Sequence, residues 1–230
     1  IIGDTAYLGL ENSLFTVFNP DYKKAREKNG MLQPKIYKQL RLYDMSDVKD
    51  HDYNVVTESS PALLNDHIYV TSGSGHVYGY NMKTHQLIWD FYIGSDIDGS
   101  PVVTSDSCLM ISVEKQYIKG KGGALKLDPS KSPDKAVIWF FPTGKTDLLS
   151  WEGGIIGSIG VNDQYVCDQQ QKLAAFVGLD GYLYVVNHQK LQPDHKVLGT
   201  DSLTYYSTPE LIYRKKVGAS ISTPVFYKDK

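Results

Sequence analysis

The sequence is short of several features that would announce a chemistry at once. It has two cysteines in 230 residues, Cys108 and Cys167, with no C-x-x-C spacing. A structural disulfide between them is one reading, and two free core thiols are the expectation, so cysteine says little about compartment. No apolar run approaches the length of a membrane-spanning helix, and no segment of signal-peptide form opens the sequence. There is no excess of one charge: 24 Lys and Arg stand against 26 Asp and Glu, a formal net charge of -2. A nucleic-acid footprint and a polybasic membrane patch are therefore not expected. The six histidines form no H-E-x-x-H or short H-x-H pattern, and His76 and His188, beside hairpins, read as surface or turn residues. No G-x-S-x-G elbow and no Walker-type loop occurs. Lys119-Gly120-Lys121-Gly122-Gly123 looks like a phosphate cradle but lacks a following helix with Ser or Thr, so it reads as a solvated hairpin tip.

What is present points to strands. Tyr numbers 17 and Gly 20, with 41% hydrophobic and 22% charged residues, the balance of a globular chain. Aromatic-rich segments punctuated by Gly favour strands and tight turns. The segments also repeat. Ile68 to Asn81 (IYVTSGSGHVYGYN) resembles Leu173 to Asn187 (LAAFVGLDGYLYVVN), with Gly75 matching Gly181 and Asn81 matching Asn187. Thr5 to Asn19 is a third copy, and Leu109 to Asp128 a frayed fourth with a longer Lys-rich loop. Alternation suits strands packed on both faces, and the closing Asn or Asp suits a side chain that bonds nearby amides. Before the hairpins stands a short element, SSPALL (Ser59 to Leu64), GSPVVT (Gly99 to Thr104) and STPVFY (Ser222 to Tyr227), with IGSIGV (Ile156 to Val161) as a copy lacking Pro. After them comes an aromatic strand, QLIWDFYIG (Gln86 to Gly94) and AVIWFFPTG (Ala136 to Gly144). Lys35 to Tyr43 and Pro209 to Gly218 take the same place without Trp. No amphipathic helix competes, and Pro20 to Gly30 reads as an exposed insertion or one short helix.

Four strands per repeat is the composition of a propeller blade. The unit resembles the pyrroloquinoline-quinone-type (PQQ-like) repeat, in which a Gly-turn hairpin leads into A-x-[DN]-x-x-T-G-x-x-x-W. Gly79-Tyr80-Asn81-Met82-Lys83-Thr84-His85-Gln86-Leu87-Ile88-Trp89 follows that pattern, with Gly for Ala and His85 where Gly is usual. Ala124 to Pro129 opens it again and reaches Trp139 after an insertion. The expected fold is an all-β propeller of four-stranded antiparallel blades, with about four blades' worth of sequence in a single domain over residues 1–230. The units fall near 1–58, 59–98, 99–154 and 155–220, with 221–230 starting or closing another. The resemblance implies that Trp89 and Trp139 pack between blades, and that complete members have seven or eight blades. The chain begins without Met in a second-strand element and ends in a first-strand element. Either the two ends zip into a small closed ring or the chain is a piece of a larger propeller, and the second is favoured.

Propellers bind ligands where the loops before their innermost strands converge. Those loops are Val55 to Ser60, Gly94 to Ser100, Ser150 to Gly154 and Val217 to Ser222, and their candidate ligand-binding residues are Glu58, Asp96, Asp98, Trp151 and Glu152. Carboxylates gathered near one axis suit a hard cation such as calcium, or a cationic or polyhydroxylated ligand. Solvated loop acids are the plainer reading. Quinone-dependent relatives stack their cofactor on a Trp and place calcium beside it; Trp151 with Glu152 is the one pair that loosely fits. The adjacent-cysteine pair of such enzymes is absent, and no catalytic residue is assigned. Calcium and PQQ are thus minor expectations. The leading one is a non-catalytic binding or scaffolding module of a larger exported protein, periplasmic or extracellular by resemblance alone, engaging a protein or a small polar ligand. A calcium- and quinone-dependent dehydrogenase is one alternative, and a sugar- or peptide-binding accessory domain of a hydrolase another.

Overall fold

The computed structural model describes residues 1–146 and 151–227. Strands β1 (Ala6–Gly9), β2 (Leu14–Asn19) and β5 (Lys35–Arg41) form a three-stranded sheet, and β3 (Arg26–Lys28) with β4 (Met31–Gln33) a separate hairpin. A short helix, α1 (Met45–Asp50), leads to the second sheet, β6 (Ala62–Leu64), β7 (His67–Thr71), β8 (His76–Asn81) and β9 (Leu87–Tyr92). The third sheet is β10 (Val102–Val103), β11 (Leu109–Val113), β12 (Gly123–Leu127) and β13 (Val137–Pro142). The fourth is β14 (Gly160–Val161), β15 (Leu173–Val177), β16 (Tyr182–Leu198) and β17 (Tyr205–Lys216). Strands pair antiparallel in chain order within each four-stranded sheet, which is the meander of a propeller blade.

The core lies between blades, and strand alternation decides which neighbour each side chain meets. In β11, Leu109, Ile111 and Val113 join Tyr69, Val77 and Phe91 of the second blade. Met110, pointing the other way, joins Ala174, Phe176 and Val186 of the fourth. A third cluster joins Phe15 and Val17 of the first sheet to Ile68, Val70 and Tyr80 of the second. The middle strands are therefore covered on both faces, and read as near-continuous apolar runs. Both blade tryptophans are buried and donate from Nε1 to the following blade: Trp89 to the Lys131 carbonyl at 2.9 Å, Trp139 to the His188 carbonyl at 3.0 Å. The closing Asn or Asp of each hairpin accepts a backbone amide two residues on, at Asn19, Asn81, Asp128 and Asn187.

The Ser before each Pro-marked strand has a use that its repetition hinted at. The Ser60 amide donates to Ser100 Oγ at 2.8 Å, the Ser100 amide to Ser158 Oγ at 2.9 Å, and the Ser158 amide to Thr223 Oγ1 at 2.9 Å. One hydroxyl per blade thus ties the inner strands into an arc. Residues 221–227 sit beside β14 as the next step of that arc. Among the described residues they do not pair with β1, which keeps an open edge.

Several expectations are corrected. Residues 20–30 are an exposed insertion, as one of the two readings has it, built as a 3-10 turn and half of the β3–β4 hairpin rather than as a short α-helix, while among the described residues an α-helix arises at Met45–Asp50, too short for periodicity to reveal. Cys167 is exposed, and only Cys108 is a core thiol. His76 and His188 are buried because each has carboxylate partners. His76 lies 2.5 Å from Asp90 and 3.5 Å from Asp47. His188 Nε2 donates to Asp163 at 2.8 Å while its Nδ1 faces the buried Lys126 ammonium at 3.1 Å. Burial would raise the Asp163 pKa, but its bonds from His188 and Ser105 outweigh that and hold it at about 2.

Because Trp139 is wholly buried and hydrogen-bonded across blades, Trp139→Ala should destabilise the chain by about 3–5 kcal/mol in urea titration. A loss under about 1 kcal/mol would contradict its role as an inter-blade wedge.

Candidate functional site

The loops ahead of the inner strands do converge, and their acids divide into two groups. Asp96 and Asp98 lie in the β9–β10 loop, and Glu58 in the segment leading to β6. The loop is held from both sides. Ser95 Oγ donates to the carbonyls of Glu114 and Gln116 at 2.6 and 2.8 Å, Thr71 Oγ1 donates to the Gly99 carbonyl at 2.8 Å, and the Glu114 amide donates to the Asp96 carbonyl at 3.2 Å. Gly73 makes room, since a Cβ there would stand 2.9 Å from Asp96 Oδ1 and 2.6 Å from the Val56 carbonyl.

This framework brings a fourth acid to the cluster. Glu114, the residue after β11, is 2% exposed and shares the site with Asp96 and Asp98. Asp96 is also buried, its Oδ2 receives a 3.4 Å bond from Asn54, and its Oδ1 lacks a well-aligned hydrogen bond among the described residues, although the carboxyl lies close to Asp98. Glu58 is exposed at the rim. Burial first, and then Asp98, push the Asp96 carboxyl up to about 8 and Glu114 up to about 10; Asp98 acts on Asp96 chiefly by repulsion and on Glu114 chiefly by a hydrogen bond to its protonated form. Glu58 is raised as well, by the Asp98 charge first and burial second. Near neutral pH the two buried acids therefore hold their protons, and a cation arriving at the cluster would displace them.

Glu152 belongs elsewhere. It is exposed and forms an ion pair with Lys115 at 3.3 Å. Trp151 is half-buried beside it, and Ser150, the first residue of that loop, lies outside the described residues. The loop from Val217 to Ser222 brings no acid. Thus Glu58, Asp96 and Asp98 come together, while Glu152 pairs with Lys115 instead. Glu114 escaped sequence reading because it closes a frayed repeat next to a Lys-rich loop. Its signal was a lone charge where the sister hairpins carry Ser72 and Gly178.

The fit to a metal or quinone can be tested on these atoms. Among the described residues no three His, Cys, Asp or Glu groups stand in metal-ligating geometry. Glu152 is paired with Lys115 rather than with the carboxyl cluster.

No protein family and no curated protein matches this sequence. Solved structures do. The chain is similar to BamB from Moraxella catarrhalis, with a TM-score of 0.57 and 10% identity over 97% of this chain and 50% of that one. The fold is that of a β-propeller. It is also similar to a europium-containing methanol dehydrogenase, with a TM-score of 0.50 and 12% identity over 94% of this chain and 50% of that one. The chain spans half the length of each of these two propellers, and identities this low speak for the fold alone. Among the described residues no helix is long and apolar enough to cross a membrane.

The raised carboxyls fix the sign of a pH effect. A folded pKa above the unfolded one gives stability that is complete below about pH 4 and lost as pH rises through about 8 for Asp96 and about 10 for Glu114. The thermal midpoint should therefore fall between about pH 5 and about pH 9. Asp96→Asn with Glu114→Gln should flatten that slope, and a midpoint that climbs over the same range in the parent chain would contradict the cluster's protonation.

Proposed function

We propose that this chain is a non-catalytic binding module whose loop face engages a protein partner through a cationic group of that partner. The observation that carries the reading is the buried, partly unpartnered carboxyl cluster of Asp96 and Glu114 around Asp98, open to the rim at Glu58. Two buried acids held as neutral groups cost stability unless something rewards them, and a guanidinium or ammonium placed among them would. Arg suits the role best, since its planar fork meets two carboxylates at once. The blade arc supplies the rigidity, because each loop is fixed by strands packed on both faces. Attachment to a larger exported protein follows from the resemblance to longer propellers and is part of the same proposal.

One of the two similar structures contains europium, a hard cation, so the metal-dependent alternative is put to the same test. The chain is titrated with a short arginine-rich peptide and, separately, with calcium near neutral pH, reading thermal midpoint and proton release. The peptide should raise the midpoint and release protons from the parent chain, and Asp98→Asn should abolish both effects. Absence of any response to the peptide would sink the reading, and a response to calcium alone would move the assignment to the metal-dependent alternative.

A further inference from the structure

A second site lies on the other side of Glu114–Lys115, and nothing in the binding reading above uses it. The β16–β17 hairpin is much longer than its sisters, with strands of 17 and 12 residues against 6 and 6 for β8 and β9. Its outer half leaves the fourth blade and lies back over the third. Val197 and Tyr206 pack on the cluster that holds Ile111, Val113 and Phe140, and the Gly120 amide donates to the Thr200 carbonyl at 2.8 Å. The Lys-rich loop between β11 and β12, expected as a solvated tip, is therefore roofed. Beneath the roof is a cavity of about 790 Å³, bounded by that loop, by the segment after β13 and by the arm.

The lining is unusual in charge for a chain of net charge -2. Among the described residues Lys115, Lys119, Lys121 and Lys145 border the cavity, with Glu152 the carboxylate beside them. Glu152 is taken by Lys115, whose ammonium also donates to the Ile118 carbonyl at 2.7 Å. Lys119, Lys121 and Lys145 are exposed and form no ion pair among the described residues. Three uncompensated ammonium groups around one hollow repel one another, and an anion between them removes that repulsion. Beside the hollow the backbone is packed closely: a Cβ at Gly120 would stand 2.3 Å from the Gly199 carbonyl and one at Gly122 2.5 Å from the Val113 carbonyl, so glycine at these positions lets the Lys-rich loop lie against the arm and against β11. Pro142, Val197 and Leu198 add an apolar wall.

We propose that this cavity binds a small organic polyanion, a ligand with two or more phosphate groups and an uncharged body that rests on the apolar wall. The volume is that of a cofactor-sized site. Lysines, as mobile point charges, suit phosphate oxygens without demanding the planar geometry that Arg would impose. The site is also distinct from a phosphate-binding helix terminus: it draws its charge from side chains, and its enclosure from an arm of another blade that the Lys-rich loop's own sequence does not reveal.

The test is calorimetric titration of the whole chain with inorganic pyrophosphate, and in parallel with adenosine triphosphate, near neutral pH and at low salt. Both should bind, the nucleotide at least as tightly because only it can use the apolar wall, and added salt should weaken both. Lys119→Ala with Lys121→Ala, which alters exposed side chains, should weaken pyrophosphate by at least about tenfold at an unchanged thermal midpoint. Glu152→Gln should strengthen it by freeing Lys115, an effect of opposite sign that general loss of structure would not give. No heat from either ligand, or an affinity indifferent to the double substitution, would overturn the proposal. Asp98→Asn should leave pyrophosphate binding unchanged, so failure of the acidic face and failure of this cavity are read separately.

Discussion

The structure hangs on one hydrogen bond repeated from blade to blade. A backbone amide at the start of each inner strand donates to the hydroxyl of the next, from Ser60 to Ser100, to Ser158, to Thr223. Each bond is worth only about 1 kcal/mol net. Its effect is geometric: it fixes how far one blade is displaced from the next, and so where the loops leading into the inner strands must end. The acid cluster exists because those loops arrive at the same place. Inter-blade packing supplies the energy, with Trp89 and Trp139 spanning the gaps, and the hydroxyl series supplies the register.

Strands covered on both faces leave little room for charge, so the exceptions are informative. Lys126 is 1% exposed in the middle of β12. It is compensated in full by Asp106 at 2.6 Å and by the carbonyl and ring of His188, and Asp163 in turn holds the ring. That network is a structural tie between the third and fourth blades, with every polar atom answered. Glu114 is equally buried but is set among other acids. The contrast separates a charge kept for architecture from a carboxyl whose burial among other acids favours its neutral form.

Glu114 and Lys115 also show how one strand end serves two surfaces. Side chains of consecutive residues leave a strand on opposite sides. Glu114 turns to the carboxyl cluster, while Lys115 turns to Glu152 and the lysine-lined cavity. A face that offers acid on one side of a strand and base on the other can take two ligands of opposite charge without mutual neutralisation, because the strand and its glycines stand between them.

The sequence by itself determined the architecture. Period-two alternation, Gly at Gly75 and Gly181, closing Asn residues and the Ser-Pro starts were each legible, since every one is a local requirement of a strand or a turn. The same reading found Glu58, Asp96 and Asp98, because a loop before an inner strand has only one face to lie on. Only tertiary structure decided the rest. Glu152 left the acids for Lys115 because the two meet across a loop that no repeat predicts. Glu114 joined them through burial, which a frayed repeat conceals. The short α1 and the β3–β4 hairpin are too brief to carry a period. The cavity needed a hairpin from one blade to fold over another, and contacts across that distance leave no pattern in the chain.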